Sequence, residues 1–202
     1  MGWRLFLPNE HWIEPILALI LVGGMIRTII FLMGNGYLPQ PYFYDPADTW
    51  MDWFNTGDWA RDRGVYDSWG SVYAPLTLVF LRIFGLSQCY LGGGQDTSYY
   101  ARACDWLGVF WLHAFYVIAI VVVAVTYLKT NRRTALPRAM ALMIGLPMTS
   151  GLERGNIILI AFLCVALAFG PLFKSARMRW LALGLAINFK LYIIAALFPQ
   201  LL

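Results

Sequence analysis

The chain has 202 residues, 60% hydrophobic and 13% charged, with a mean hydropathy of +0.62. A soluble domain is about 45–50% apolar and about 25% charged, and a chain this short leaves too much surface in water to hide such an excess, which excludes an ordinary water-soluble globule. The net charge of +4 gathers in short connectors and not on a basic stripe interleaved with aromatics, which excludes a nucleic-acid groove.

A spanning structure must satisfy its own backbone groups, so it is a helix or a closed barrel. The long apolar runs lack the alternation of a barrel strand. The expected fold class is therefore all-α: a polytopic transmembrane helical bundle, one domain over 1–202, with short interfacial helices in an outward loop. In chain order, residues 1–12 carry Arg4 and Glu10, and Glu14 follows. No small-x-small cleavage site ends the apolar stretch, so the first span, 13–33, is read as retained. Arg27 interrupts it two turns from its end, within snorkelling reach of the boundary. Gly34, Asn35 and Gly36 then stop it, with Pro39, Pro41 and Pro46 beyond.

Residues 34–72 form the most polar region, with six aspartates (Asp45, Asp48, Asp52, Asp58, Asp62, Asp67) against Arg61 and Arg63. Ten aromatic side chains stand among them, from Tyr37 to Trp69, a density suited to a membrane–water interface. One or two short surface helices are expected here. The apolar run 73–86 is short and carries Arg82, so it is read as re-entrant or interfacial. A polar loop over 87–105, with Gly92, Gly93 and Gly94, leads to a second full span at 106–128. Lys129, Arg132, Arg133 and Arg138 follow in one connector. A segment at 139–148 reaches a turn at 149–155, and 156–173 returns to a second basic connector with Lys174, Arg177 and Arg179. The last segment, 180–202, is apolar apart from Asn188 and Lys190. Basic connectors belong in the cytoplasm. The turn at 149–155 and the Asp-rich region then face outward, provided that 73–86 does not cross.

Four groups of residues offer chemistry. Asp48 and Asp52 share one face at i, i+4 if their stretch is helical, and partial desolvation at a membrane surface raises a carboxylate's proton affinity; the plain alternative is a solvated acidic loop. Glu153-Arg154-Gly155-Asn156 opens a helix, where Arg154 and free N–H groups suit a phosphate, or where an interfacial salt-bridged turn suffices. Lys190, near Asn188, implies an anionic partner or snorkels along the lipid boundary. Cys89 and Cys104 bracket one loop and can pair if it faces an oxidising compartment; Cys164, in an apolar run, is read as a small core residue. His11 and His113 are too few and too separate for a metal site. No metal site is expected. The three glycines lack the Gly-Lys-Ser/Thr of a phosphate-binding loop.

Three places resemble the N-terminal half of GT-C-fold polytopic glycosyltransferases, within them the polyprenol-phosphate-mannose-dependent α-(1→2)-mannosyltransferases. The first is Asp48, then Tyr66-Asp67, then Tyr73-Ala74-Pro75-Leu76. The second is Glu153-Arg154-Gly155-Asn156-Ile157-Ile158-Leu159. The third is Leu183–Lys190 with Pro199 beyond. Tyr-Ala-Pro stands where the family has Tyr-Pro-Pro, and Glu-Arg-Gly-Asn where it has a Gly-Gln pair. Such enzymes are about twice as long, so the chain is read as a portion of a larger module. The resemblance implies inverting sugar transfer at the outer membrane surface, from a polyprenol-phosphate sugar to a glycan or glycolipid acceptor, with no cofactor. It implies Asp48 as general base, with Asp52 as the second candidate, and substrate binding by Arg154, Asn156, Lys190 and Tyr73. The location it goes with is a multi-pass protein of a bacterial plasma membrane. Its rivals are a non-catalytic membrane subunit that binds lipid-linked sugar and a small transporter with Lys190 and Arg154 along its path.

Overall fold

The computed structural model describes residues 12–68, 70–92 and 96–197. The described residues are helical, with no strand among them. Readings that touch Arg4, Glu10, His11, Trp69, Gly93, Gly94 and Pro199 lie outside the described residues.

Among the described residues two helices are long and apolar enough to cross a membrane: α1, Ile13–Asn35, and α5, Trp106–Thr130. Both were expected, with bounds shifted by two residues at their C-terminal ends. Helix α1 ends where Gly36 takes a left-handed φ of 77° and donates its N–H to the Leu32 carbonyl, a turn that glycine makes without a Cβ penalty. Helix α5 begins under a side-chain cap, Asp105 accepting from the Gly108 N–H at 2.9 Å. Only 6% and 22% of the apolar windows of α1 and α5 are buried, so most of both surfaces has no protein neighbour.

Between them lie α2 (Met51–Trp59), α3 (Pro75–Ile83) and α4 (Thr97–Cys104). Helix α3 starts on Pro75, placed where a missing N–H costs nothing, and its nine residues are too short to cross, as expected. Helix α4 corrects the expectation of a polar loop over 87–105. A 3-10 turn at Ser87–Tyr90 is joined to it by a Cys89–Cys104 disulfide, and α4 packs on α2. An eight-residue helix with that composition is not stable alone; the covalent tie and the packing supply what propensity does not.

After α5 come α6 (Arg132–Ile144), α7 (Leu146–Arg154), α8 (Ile158–Phe169) and α9 (Ala176–Phe189). The expected turn at 149–155 is for the most part the last turns of α7, stopped by Gly155 at φ 69°. The expected continuous last segment is broken: α9 stops at Lys190, which is extended, and a 3-10 segment, Leu191–Leu197, follows. Helices α5, α6, α8 and α9 form the bundle, and α1 lies against α6, tied by a bidentate pair from Arg138 to Glu14 (2.6 and 2.9 Å). The core runs through Trp53, Phe54, Leu81, Leu112 and Leu159, each almost wholly buried. Helices α2, α3 and α4 cap this core, with α2 on α5 and α7 and α3 on α9. Cys164 is buried in α8 as expected.

Candidate functional site

Residues from four separate stretches meet at the cap. Trp50 is the pivot. Its φ of 66° is left-handed, an uncommon conformation for a bulky side chain, and its N–H donates to the Glu153 carbonyl at 2.7 Å. Gly155 lies directly beneath: a Cβ there would stand 2.6 Å from the Trp50 carbonyl oxygen. The two left-handed residues therefore require each other, one ending α7 and the other beginning α2.

This pivot corrects one expectation. Asp48 and Asp52 do not share a helix face. Asp48 ends a 3-10 turn, Pro46–Asp48, and Asp52 lies in the first turn of α2, with the reversal at Trp50 between them. Asp48 is half-buried and accepts from the Tyr99 hydroxyl at 3.4 Å. Asp52 accepts from the Asn156 amide at 2.7 Å, while the amide oxygen of Asn156 caps α8 by accepting from the Ile158 N–H at 3.0 Å.

Asn156 opens onto a pocket of about 500 Å³, together with Arg154, Ser150, Lys190 and Tyr192. Three of the four expected substrate-binding residues thus line one space. The fourth, Tyr73, adjoins it: the Lys190 ammonium donates to the Tyr73 hydroxyl at 3.4 Å and stands 4.7 Å from its ring centre. The Arg154 guanidinium lies 4.5 Å from the Phe43 ring centre. Neither cation forms an ion pair with a carboxylate among the described residues. Asp48 and Asp52 do not line the pocket; Asp52 reaches it only through Asn156. Asn188 is exposed and turns back to the Gly184 carbonyl.

Glu153 stands in the motif Glu153-Arg154-Gly155-Asn156, where the sequence pattern assigned it no role of its own. It is buried, accepts from the Phe43 N–H at 2.9 Å through Oε1, and its Oε2 has no hydrogen-bond partner among the described residues. Burial raises its proton affinity above the ordinary carboxylate range. The Phe43 bond and Arg154 oppose the rise, and the charges of Asp52 and Asp48 add to it.

A second buried cluster was also not foreseen. Asp105 is fully buried and accepts from the Leu86 and Gly108 N–H groups (3.1 and 2.9 Å) and from the Tyr90 hydroxyl (2.9 Å). Burial, then the charge and hydrogen bond of Asp105, push the Tyr90 phenol well above its usual range. Arg61 lies over the Tyr90 ring at 3.9 Å. An Asp immediately before an apolar helix is a recognisable cap signal, and that signal would have marked Asp105.

The cap is set down into the bundle. The Trp50 ring meets His113 edge-on at 5.1 Å, two turns past the start of α5, or about 10 Å along its axis. From Trp50 an apolar groove runs along α5 past Phe110, Val117 and Ile118. Among the described residues no cluster of His, Cys, Asp or Glu is arranged to hold a metal. Comparison with protein-family models, curated proteins and solved structures finds no match to this chain.

Proposed function

We propose that the chain is a multi-pass protein of a bacterial plasma membrane with a GT-C-like bundle, and that it transfers a sugar from a polyprenol-phosphate donor to the hydroxyl of a glycan or glycolipid. One observation carries the reading: Arg154 and Lys190, two cations in no ion pair among the described residues, face one pocket beside Asn156. A phosphate is the natural occupant of such a site, since a planar guanidinium and an ammonium together neutralise its charge where the dielectric is low. The apolar groove beside Trp50 gives a lipid chain a track that ends near the carboxylates.

In this reading the acceptor oxygen attacks C1 of the sugar as the C1–O bond to phosphate breaks. The anomeric centre inverts, the polyprenol phosphate leaves against Arg154 and Lys190, and Asp48 takes the acceptor proton. Asp52 holds Asn156 in place. Tyr73 steadies Lys190.

The test uses the protein in lipid nanodiscs with a polyprenyl phosphate as ligand and a polyprenol-phosphate mannose as donor. Arg154→Gln and Lys190→Gln should each weaken binding of the phosphate by about tenfold, the value of one charge-assisted contact. Asp48→Asn should abolish transfer with binding intact. Unchanged phosphate binding in both cation variants would sink the reading. A second reading, a non-catalytic subunit that binds lipid-linked sugar, has one observation in its favour: neither carboxylate lines the cationic pocket. It predicts phosphate binding with no transfer in the unaltered chain.

A further inference from the structure

The turn that carries Asp48 is held from outside itself. The Arg102 guanidinium, on α4, donates through a single nitrogen to the carbonyls of Pro46 (3.2 Å), Ala47 and Thr49 (3.1 Å). Tyr99, one turn earlier on the same helix, donates to the Asp48 carboxylate. Residues three apart share a helix face, so one face of α4 serves both the backbone and the side chain of this turn. No carboxylate pairs with Arg102 among the described residues, and the acceptors it meets are carbonyls of the Asp48 turn.

Helix α4 is itself too short to stand alone. Cys104, two residues past Arg102, is bonded to Cys89 in the 3-10 turn Ser87–Tyr90. Cys89 is buried and Cys104 is exposed, so a small reagent reaches the bond from one side. The Tyr90–Asp105 hydrogen bond joins the same two segments one residue further on, at the junction of α4 and α5, so opening the disulfide leaves the start of α5 with a tie while α4 loses its covalent one.

We propose that Arg102 is the positioning residue for the Asp48 turn, and that the Cys89–Cys104 disulfide, by fixing the helix that carries Arg102, makes the geometry of that turn conditional on an oxidising surrounding. The consequence for activity rests on the reading of Asp48 given above; the structural claim does not. Opening the disulfide needs a dithiol, which becomes a cyclic disulfide as Cys89 and Cys104 each gain a proton and become thiols.

The experiment measures amide hydrogen exchange over 45–50 in nanodiscs, for the oxidised protein, the dithiol-treated protein and Arg102→Gln. Exchange in that segment should quicken by about tenfold or more in the second and third samples, the loss of a multiply bonded guanidinium, with α5 and α8 unchanged. Unaltered exchange over 45–50 in either sample overturns the proposal. If Arg102→Gln does not fold, Arg102→Met replaces it: an unbranched apolar side chain keeps packing and removes every donor, so the same rise is expected and no rise overturns the idea. A merely structural role would not split the kinetics; here Arg102→Gln should lower kcat about tenfold with the KM for donor unchanged. If Asp48→Asn still transfers sugar, the catalytic reading of Asp48 fails while the exchange result stands on its own.

Discussion

Glu153 binds two parts of the site together, its carbonyl taking the Trp50 N–H and its carboxylate the Phe43 N–H. Its second oxygen is buried with no hydrogen-bond partner among the described residues, which is costly for a charged group. The folded chain therefore binds this proton more tightly than the unfolded chain does, whose carboxyl titrates at the ordinary glutamate value of about 4.5. The sign follows from proton linkage. Where the folded state holds more protons, stability falls as pH rises. The contribution is full below about pH 4.5 and is lost as pH climbs through the raised folded value. Glu153→Gln keeps an acceptor for Phe43 and removes the charge. Thermal denaturation in detergent between pH 4 and 7 should show the wild type losing stability relative to the variant as pH rises, by on the order of 1 kcal/mol at the upper end. Parallel curves would mean that Glu153 is charged and satisfied at neutral pH.

Gly155 and Trp50 set the junction between α7 and α2, and the prediction there belongs to elements. Gly155→Ala places a Cβ 2.6 Å from the Trp50 carbonyl oxygen and 2.8 Å from its Cα at a φ of 69°. The left-handed conformation alone costs a non-glycine residue about 1–2 kcal/mol, and the close approach adds to it. The expected result is a destabilisation of about 2 kcal/mol or more, with phosphate binding at Arg154 weakened because the α7 terminus must shift. Gly184, in α9, has open space around it, so Gly184→Ala is the control: it should leave phosphate binding unchanged and stabilise by about 0.5–1 kcal/mol, the helix preference for alanine. At this scale the sequence was readable where hydropathy runs long: α1 and α5 were placed within two residues because nothing competes with an apolar run of that length. It was not readable where tertiary ties decide. Helix α4 is built from Thr, Ser, Tyr, Ala, Arg and Cys and carries no apolar run; its helicity follows from a disulfide and from α2. The i, i+4 relation of Asp48 and Asp52 assumed one helix, and Trp50 breaks it. The pairing of Arg154, Asn156 and Lys190 in one pocket was expected only through a family resemblance, since no spacing in the chain brings 154 and 190 together.

The depth of the site is a property of the whole molecule. Helices α8 and α9 have 12 and 14 residues, about 18 and 21 Å of rise, against a hydrocarbon core of about 30 Å. Both start or end at the connector 170–175, which carries Lys174 and is followed by Arg177 and Arg179. If that connector lies among the cytoplasmic headgroups, Asn156 at the far end of α8 and Lys190 at the far end of α9 stop short of the opposite headgroups. A cation there serves an anion that arrives with a lipid, because a freely soluble one would have to leave water to reach it. The same placement puts the Cys89–Cys104 disulfide on the extracytoplasmic side, where such bonds persist. Sidedness can be measured directly. In a Cys164→Ser background, Ser68→Cys marks the acidic loop and Ser175→Cys the basic connector; both positions are exposed. A membrane-impermeant maleimide applied to intact cells should label Ser68→Cys at least about tenfold more than Ser175→Cys, and lysis should equalise the two, as basic connectors retained in the cytoplasm require. Labelling in the reverse order would place the cationic pocket's mouth in the cytoplasm and the disulfide in a reducing compartment, and neither the lipid-phosphate donor at the outer surface nor the oxidised α4 clamp would survive that result.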